Sequence, residues 1–549
     1  MKKINVRNAI FGSAITLIVG VLAFAGLNYL FIPRIGWSAG LLITIALSVG
    51  IGLGAGAIYS AITWEYDESS FPVGRNIVLG AIIVLIVLAM IVSWIVSWRC
   101  FHVDEVKARL HMETVSEEEF IEMLPSVDTK GAYSLVDSDT ARKLASRKMG
   151  EMNELVNLFT TSNIVSTAIS DGEVIKYVPL EYGGLLKSGK SEFIPGYITV
   201  DPSAQSANYV EAHFVYSPSA YFSKDLMRHL RNCMPNEYFG NRFFQVSPEG
   251  VPSWVVELEK TCGSWIVREV YAVAIVDAVT GECVKYELDD VPEWVTSVYG
   301  DTAVEYYNSY SDYIKGWFNP SKDGETTTTD DFGYVAIDGD LYYYTGITSK
   351  ILDGGDESNL GVMLYNAHDN NAFYCDLAGA EEYSAMEEAE GVVQNFGYKA
   401  SFPSLIDVGG ELTYVMVLKS NNGVVKQYGM VNYADYTIAV TADTLEQCKV
   451  AYAKALSDGG KISSDAIANN LISVCVDVVE YITLGGETIV YIRDNENNVY
   501  KSAFDERFLF VETGDTLVLN VIDAESEIQS AIFERFEKVV QQPAAIEVS

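Results

Sequence analysis

Residue types able to do acid–base, nucleophilic or metal chemistry are sparse in this 549-residue chain and poorly spaced for it. Five histidines (His102, His111, His213, His229 and His368) form no HExxH or HxH pair, so the two-imidazole face of a catalytic zinc site is missing. Seven cysteines (Cys100, Cys233, Cys262, Cys283, Cys375, Cys448 and Cys475) contain no CxxC pair, which argues against a zinc site and a dense disulfide framework. Cys233, Cys262 and Cys283 fall in one segment, which leaves open a single local disulfide or buried free thiols. No GxSxG elbow, Walker loop or GxGxxG after a strand occurs. Asp494-Asn495-Glu496-Asn497-Asn498 imitates the opening of a calcium loop but lacks its later glycine and glutamate, so a polar hairpin turn is expected. The sequence therefore names no catalytic, cofactor-binding or metal-ligating residue. Catalytic groups can still converge from distant positions, and His213 or His229 meeting carboxylates in a cleft would mark an enzyme.

The elements that would position any such groups begin with a membrane anchor. Ile10 to Ile32 is almost wholly apolar, Trp37 to Trp64 is uncharged, and Ile77 to Trp98 is a third such run. Each reaches the ~20 residues needed to cross the hydrocarbon. Three transmembrane helices are expected, at about 9–32, 37–64 and 76–98, within an anchor of residues 1–100. Trp37, Trp64, Trp94 and Trp98 stand at the ends, where amphipathic rings favour the headgroup layer. A cleaved signal peptide would suit Met1-Lys2-Lys3 and Ala23-Phe24-Ala25, but the apolar run continues through Leu27, Leu30, Phe31 and Ile32, which favours a retained helix. The spans carry no ionisable residue, which argues against a channel or transporter. Gly50, Gly52, Gly54 and Gly56 make two overlapping GxxxG spacings, fit either for packing among the three helices or for a homo-oligomer.

Lys2, Lys3 and Arg7 favour a cytoplasmic N-terminus, and three crossings then leave the C-terminal region outside the cytoplasm. The acidic loop Glu65–Arg75 and the trailing Arg99, Lys107 and Arg109 pull the other way. Net charge is −37; residues 1–99 hold six basic and three acidic residues, so the rest carries −40. A surface so acidic repels phosphate backbones, and nucleic-acid binding is not expected.

After the anchor, residues 101–165 are expected as a helical stalk, with a capping box at Ser116–Glu119 and helical spacing from Leu144 to Phe159. Residues 166–462 then show a recurring pattern. A glycine turn leads into an aromatic strand at Asp171-Gly172, Glu249-Gly250, Asp338-Gly339, Gly409-Gly410 and Gly485-Gly486. An apolar strand ends in Asp201, Asp277, Asn366 or Asn432, at 29, 27, 27 and 22 residues from its turn glycine. Helical stretches separate the units, which points to tandem antiparallel α+β repeats. Residues 463–549 hold five short strands, expected as a small β-barrel, OB-like in plan.

Within residues 219–288, a helix (219–233), a hairpin through Pro248-Glu249-Gly250 and the stretch Val276-Asp277-Ala278-Val279-Thr280-Gly281-Glu282 resemble a PepSY domain. The other units echo it loosely: Asn366 and Asn432 replace the aspartate, and neither keeps Thr-Gly-Glu. The resemblance implies small α+β modules of bacterial cell-envelope proteins and protease propeptides, some restraining peptidases, with no catalytic residues. Asp277 and Gly281 would also make a good turn in any fold.

Thirty-four tyrosines suit strand-face packing, or a recognition surface for peptide or glycan. The combined expectation is a bilayer-anchored, extracytoplasmic binding or scaffold protein with an envelope protein or peptide partner, possible peptidase regulation and no cofactor. The competing readings are an extracytoplasmic enzyme with an unrecognised site and a membrane-tethered cytoplasmic sensor, the latter suiting unpaired cysteines.

Overall fold

The computed structural model of the chain describes residues 6–34, 39–63, 71–129, 131–203, 205–264, 266–300, 302–329, 331–350, 358–420, 423–462, 471–484, 487–504, 506–521 and 528–536. The chain divides into two compact units: Met1–Ser116 with Lys130–Leu377, and Glu117–Thr129 with Ala378–Ser549.

The first unit opens with helices α1 (Val6–Phe31), α2 (Ala39–Thr63) and α3 (Phe71–Val96). In α1 and α2, Ile10–Phe31 and Gly40–Tyr59 are long and apolar enough to cross a membrane; the apolar stretch found in α3, Val87–Val96, is shorter. Leu17 and Leu22 are 68% and 66% exposed, unlike side chains of a helix in a soluble core. These two helices associate the chain with a membrane. They also pack on each other. A Cβ on Gly52 would lie 2.6 Å from the Thr16 carbonyl and one on Gly56 would run into the Thr16 hydroxyl, whereas Gly50 and Gly54 meet nothing within 4 Å. One of the two glycine spacings is thus spent on the helix pair.

Residues 101–165 are only partly helical. After α4 (Val103–Ala108) comes strand β1 (His111–Val115), exposed for most of its length and buried at Val115. Then follow α5 (Glu117–Met123), with Phe120 buried where the capping box placed it, α6 (Ser138–Gly150) and α7 (Asn153–Val156). Asp137 starts α6 by accepting the Thr140 N–H at 2.6 Å.

The first sheet holds β2 (Phe159–Thr161), β3 (Ser166–Ser170), β4 (Glu173–Tyr182), β5 (Ile194–Asp201) and β6 (Ser206–Phe214), with the short α8 (Leu185–Ser188) between β4 and β5. Both β2 and β3 pair with the long β4, which continues to β5 and β6. Helix α9 (Leu226–Cys233) leads into the second sheet, β7 (Tyr238–Val246), β8 (Pro252–Thr261), β9 (Arg268–Asp277) and β10 (Cys283–Glu287), a plain antiparallel meander. Helix α10 (Thr302–Asp312) leads into the third: β11 (Thr326–Thr328), β12 (Gly333–Ile337), β13 (Asp340–Ser349), β15 (Gly361–Asn366) and β16 (Asn371–Cys375), with the two-residue β14 (Ser358–Asn359) between β13 and β15 in sequence but outside this sheet. Here β11 and β12 share β13, and β1 closes the far edge parallel to β16.

The second unit holds β17 (Gly379–Ala380), α11 (Glu382–Val392), β18 (Lys399–Ala400), β19 (Ser404–Val408), β20 (Glu411–Lys419), β21 (Val425–Asn432), β22 (Ala439–Ala442) and α12 (Leu445–Asp458). Its sheet again lets β18 and β19 share β20. Strands β23 (Leu471–Leu484), β24 (Glu487–Asp494), β25 (Val499–Ala503), β26 (Thr516–Val521) and β27 (Ile528–Phe536) form a closed barrel in the order β23-β24-β25-β27-β26.

The turns follow from the glycine pairs. Asp171-Gly172 (φ 54° and 82°), Asp338-Gly339 (52° and 94°) and Gly409-Gly410 (65° and 88°) hold the two positive φ angles a two-residue hairpin needs. Gly485-Gly486 lies outside the described residues. The strand-ending Asp and Asn side chains share one task. Asp201, Asp277, Asn366 and Asn432 each accept, through Oδ1, a backbone N–H two or three residues ahead, at 2.7–3.2 Å. They are turn anchors.

In the second sheet β8 is buried on both faces. Trp254, Val256 and Leu258 join a core with the first sheet, whereas Val255 joins a core with α10 and the third sheet. The continuous apolar run of β8 is what two covered faces require.

Candidate ligand-binding cleft

A polar cavity of about 400 Å³ in the first unit lies among elements from all three of its sheets. Its lining includes Asn163 to Thr167, at the start of β3, and Gly240 to Phe243, where a register shift between Phe239 and Arg242 marks a bulge in β7. Ser297, Gly300, Phe332, Tyr334 and Tyr343 complete it. The three rings form an edge-to-face cluster, with centroids 5.1–5.6 Å apart. Tyr343 is fixed by the Ser297 hydroxyl at 2.8 Å, and Gln245 behind it bonds the backbone at Thr296 and Ser297. Arg242 is exposed, and among the described residues no carboxylate lies within ion-pair distance of its guanidinium.

Two buried titratable groups stand behind the walls. Lys176 of β4 is fully buried; its ammonium donates to Thr167 Oγ1 at 2.9 Å and lies 4.3 Å from the centre of the Tyr334 ring. Burial brings its pKa down to about 8, against the opposing pull of Asp137 and Asp331. Glu257 of β8, also fully buried, sits at the start of α10. It accepts the Asn241 N–H at 2.8 Å, the Gly300 N–H at 3.3 Å and the Thr302 hydroxyl at 2.9 Å. Burial pushes its pKa up to about 7 even against those hydrogen bonds. Gly240 is obligatory here, since a Cβ would strike the Glu257 carboxylate. Sequence reading singled out neither residue. Neither stands out in its strand, because Glu173–Tyr182 also carries Glu173 and Glu181, and Pro252–Thr261 also carries Glu259 and Lys260.

The histidines are dispersed around other contacts. His213 is exposed, 3.3 Å from Glu211 and stacked on Phe193. His368 Nδ1 is 2.8 Å from the Val295 carbonyl, and His102 Nε2 is 3.0 Å from that of Val96. His111 is exposed on β1. His229, on α9, lies beside Cys233 and Cys283 instead of a carboxylate pair. Of the cysteines, Cys375 and Cys448 are buried and Cys233 is exposed; all seven are free thiols. Asp494 makes a hairpin turn: its carboxylate accepts the Glu496 and Asn498 N–H groups at 2.8 Å, the Asn498 amide at 2.9 Å and the Tyr500 hydroxyl at 3.2 Å.

Compared with known proteins, the chain matches no protein-family model and none of the curated proteins.

Proposed function

We propose that the chain is a membrane-anchored binding protein whose first-unit cleft takes the carboxylate end of a peptide. The observation that carries this reading is the lining itself: an exposed guanidinium, three clustered rings and a rim of amide and hydroxyl groups around about 400 Å³. Arginine pairs with carboxylates in a two-pronged geometry, rings hold side chains by area and edge contacts, and such a volume suits a ligand of a few residues. Lys176 and Glu257 are each already hydrogen-bonded, which suits shaping the walls more than turnover.

The resemblance of residues 219–288 to PepSY modules points to a cell-envelope partner, a regulated peptidase among them. It is supported by the run of α9 into the β7–β10 meander. A duplicated unit is supported by strand lengths of three, five and ten residues in β2–β4 and again in β11–β13, and of two, five and nine in β18–β20. An OB-like plan for the barrel is supported by the order β23-β24-β25-β27-β26 with β25 and β27 parallel.

We read α3 as a third crossing. The end of α1, the start of α2 and the end of α3 all meet the second sheet and its helix. Arg228 donates to the Tyr29 carbonyl at 2.6 Å, Arg34 lies 4.2 Å from the Tyr238 ring, and a cavity of about 560 Å³ is bounded by Gly40, Ile43, Trp94 and Tyr238. Three crossings bring those ends to one side. Basic residues there carry little weight against Lys2, Lys3 and Arg7, because Arg99 pairs with Glu305 at 2.7 Å and Arg268 with Glu259 at 3.0 Å. We place that side outside the cytoplasm.

A peptide array with free and amidated C-termini, probed with the detergent-solubilised chain, tests the cleft. Free-carboxylate peptides should be retained and their amides lost, and Arg242→Glu should weaken binding by about tenfold or more. Equal retention by parent and variant would refute the reading.

A further inference from the structure

We propose that His229, Cys233 and Cys283 bind a soft metal ion, Zn(II) or Cu(I), on the second sheet. His229 and Cys233 stand four residues apart on α9, so one helix face carries both ligand atoms. That helix is begun by Asp225, whose carboxylate accepts the Arg228 N–H at 2.9 Å. Cys283 opens β10 after the turn at Asp277, in which Gly281 has φ 80°. A Cβ at Gly281 would strike the Tyr216 ring, whose centre is 4.1 Å from that of His229, so helix and turn are held against one another.

The ligand atoms of the three residues all lie within 4.8 Å of one another, and His229 Nε2 is 3.7 Å from Cys233 Sγ. Two ligands on one tetrahedral zinc stand about 3.5–3.8 Å apart, given Zn–S and Zn–N bonds near 2.3 and 2.0 Å. The set closes on an ion with little movement. Two sulfurs and an imidazole select thiophilic metals over calcium or magnesium. Cys233 is exposed, which leaves the outer side of the site open for water or a ligand to complete the coordination. The Gly281 carbonyl, 2.6 Å from His229 Nε2 and 3.5 Å from Cys283 Sγ, lies at the same point. On binding, both thiols lose their protons to solvent, and His229 gives up its Nε2–H bond to the Gly281 carbonyl, the ring proton passing through solvent to Nδ1 so that Nε2 can ligate the metal. Because both thiols must be deprotonated to ligate, affinity rises with pH.

The test uses the reduced full-length chain in detergent, stripped with a chelator and titrated separately with Zn(II) and Cu(I) against chromogenic competitors. One ion per chain is expected with at least one of the metals, and Co(II) should give thiolate charge-transfer bands. Cys233→Ser, at an exposed position, and His229→Gln should each weaken binding by about tenfold or more. Cys262→Ser should not, because that thiol donates to Glu269 at 3.0 Å instead. Thermal unfolding of each variant separates lost ligation from lost folding. The proposal fails if no ion withstands the competitor, if the Cys233→Ser/Cys283→Ser chain binds as the parent does, or if the two thiols form a disulfide that mild reductant leaves intact.

Discussion

Lys176 and Glu257 place opposite charges inside the first unit without pairing them, and this gives stability a pH dependence of definite sign. Lys176 titrates near 8 when folded and 10.5 when unfolded, so between those values the unfolded chain holds more protons and stability rises with pH. Glu257 titrates near 7 folded and 4.5 unfolded; there the folded chain holds more protons, and stability falls as pH rises. Both burdens are fully present between about pH 7 and 8, each on the order of 3 kcal/mol. Lys176→Met should therefore stabilise at neutral pH, with a gain that fades toward pH 10, and Glu257→Gln should gain most above pH 7 and little below pH 5. Thermal unfolding of the solubilised chain across that range decides it; parallel curves for parent and variants would show that neither group carries such a shift. Neither role was legible in sequence. A lysine between Ile175 and Tyr177 reads as an exposed strand position until β12 covers that face, and the same alternation that hid it also defined β4.

Local chemistry made some elements readable and others not. The first two apolar spans, the turns at Asp171-Gly172, Asp338-Gly339 and Gly409-Gly410 and the helix that begins at Glu117 depend on a few adjacent residues, and they appear where expected. The stalk failed because His111–Val115 is recruited as a sheet edge by Asn371–Cys375, 260 residues on, a pairing no local pattern announces. The glycine face of α2 was legible as a face but not as two. Gly52 takes the Thr16 backbone, so Gly52→Leu should push α1 from α2 at a cost of about 2 kcal/mol, read as a lower unfolding temperature. Gly54→Leu meets open space and should stay within about 0.5 kcal/mol of the parent. If a second copy packs on the Gly50 and Gly54 face, Gly54→Leu should also halve the particle mass measured by light scattering. An unchanged mass would exclude that dimer.

At the scale of the whole molecule, one exposed thiol reports where the soluble region lies. The parity of the anchor sets the side: three crossings from a cytoplasmic N-terminus put α9 outside, whereas two would keep it within. Cys233 is exposed, while Cys375 and Cys448 are buried and the other four cysteines half-buried. A membrane-impermeant maleimide applied to intact cells should therefore label the chain mainly at Cys233, and Cys233→Ser should remove most of the signal. A chelator and an impermeant reductant in the medium free the thiol from any metal or disulfide. Labelling should reach the extent seen after permeabilisation, while an N-terminal tag on the same chain stays protected from added protease. Labelling only after permeabilisation would place both units in the cytoplasm, where seven free thiols are ordinary, and a tethered sensor would replace the envelope reading.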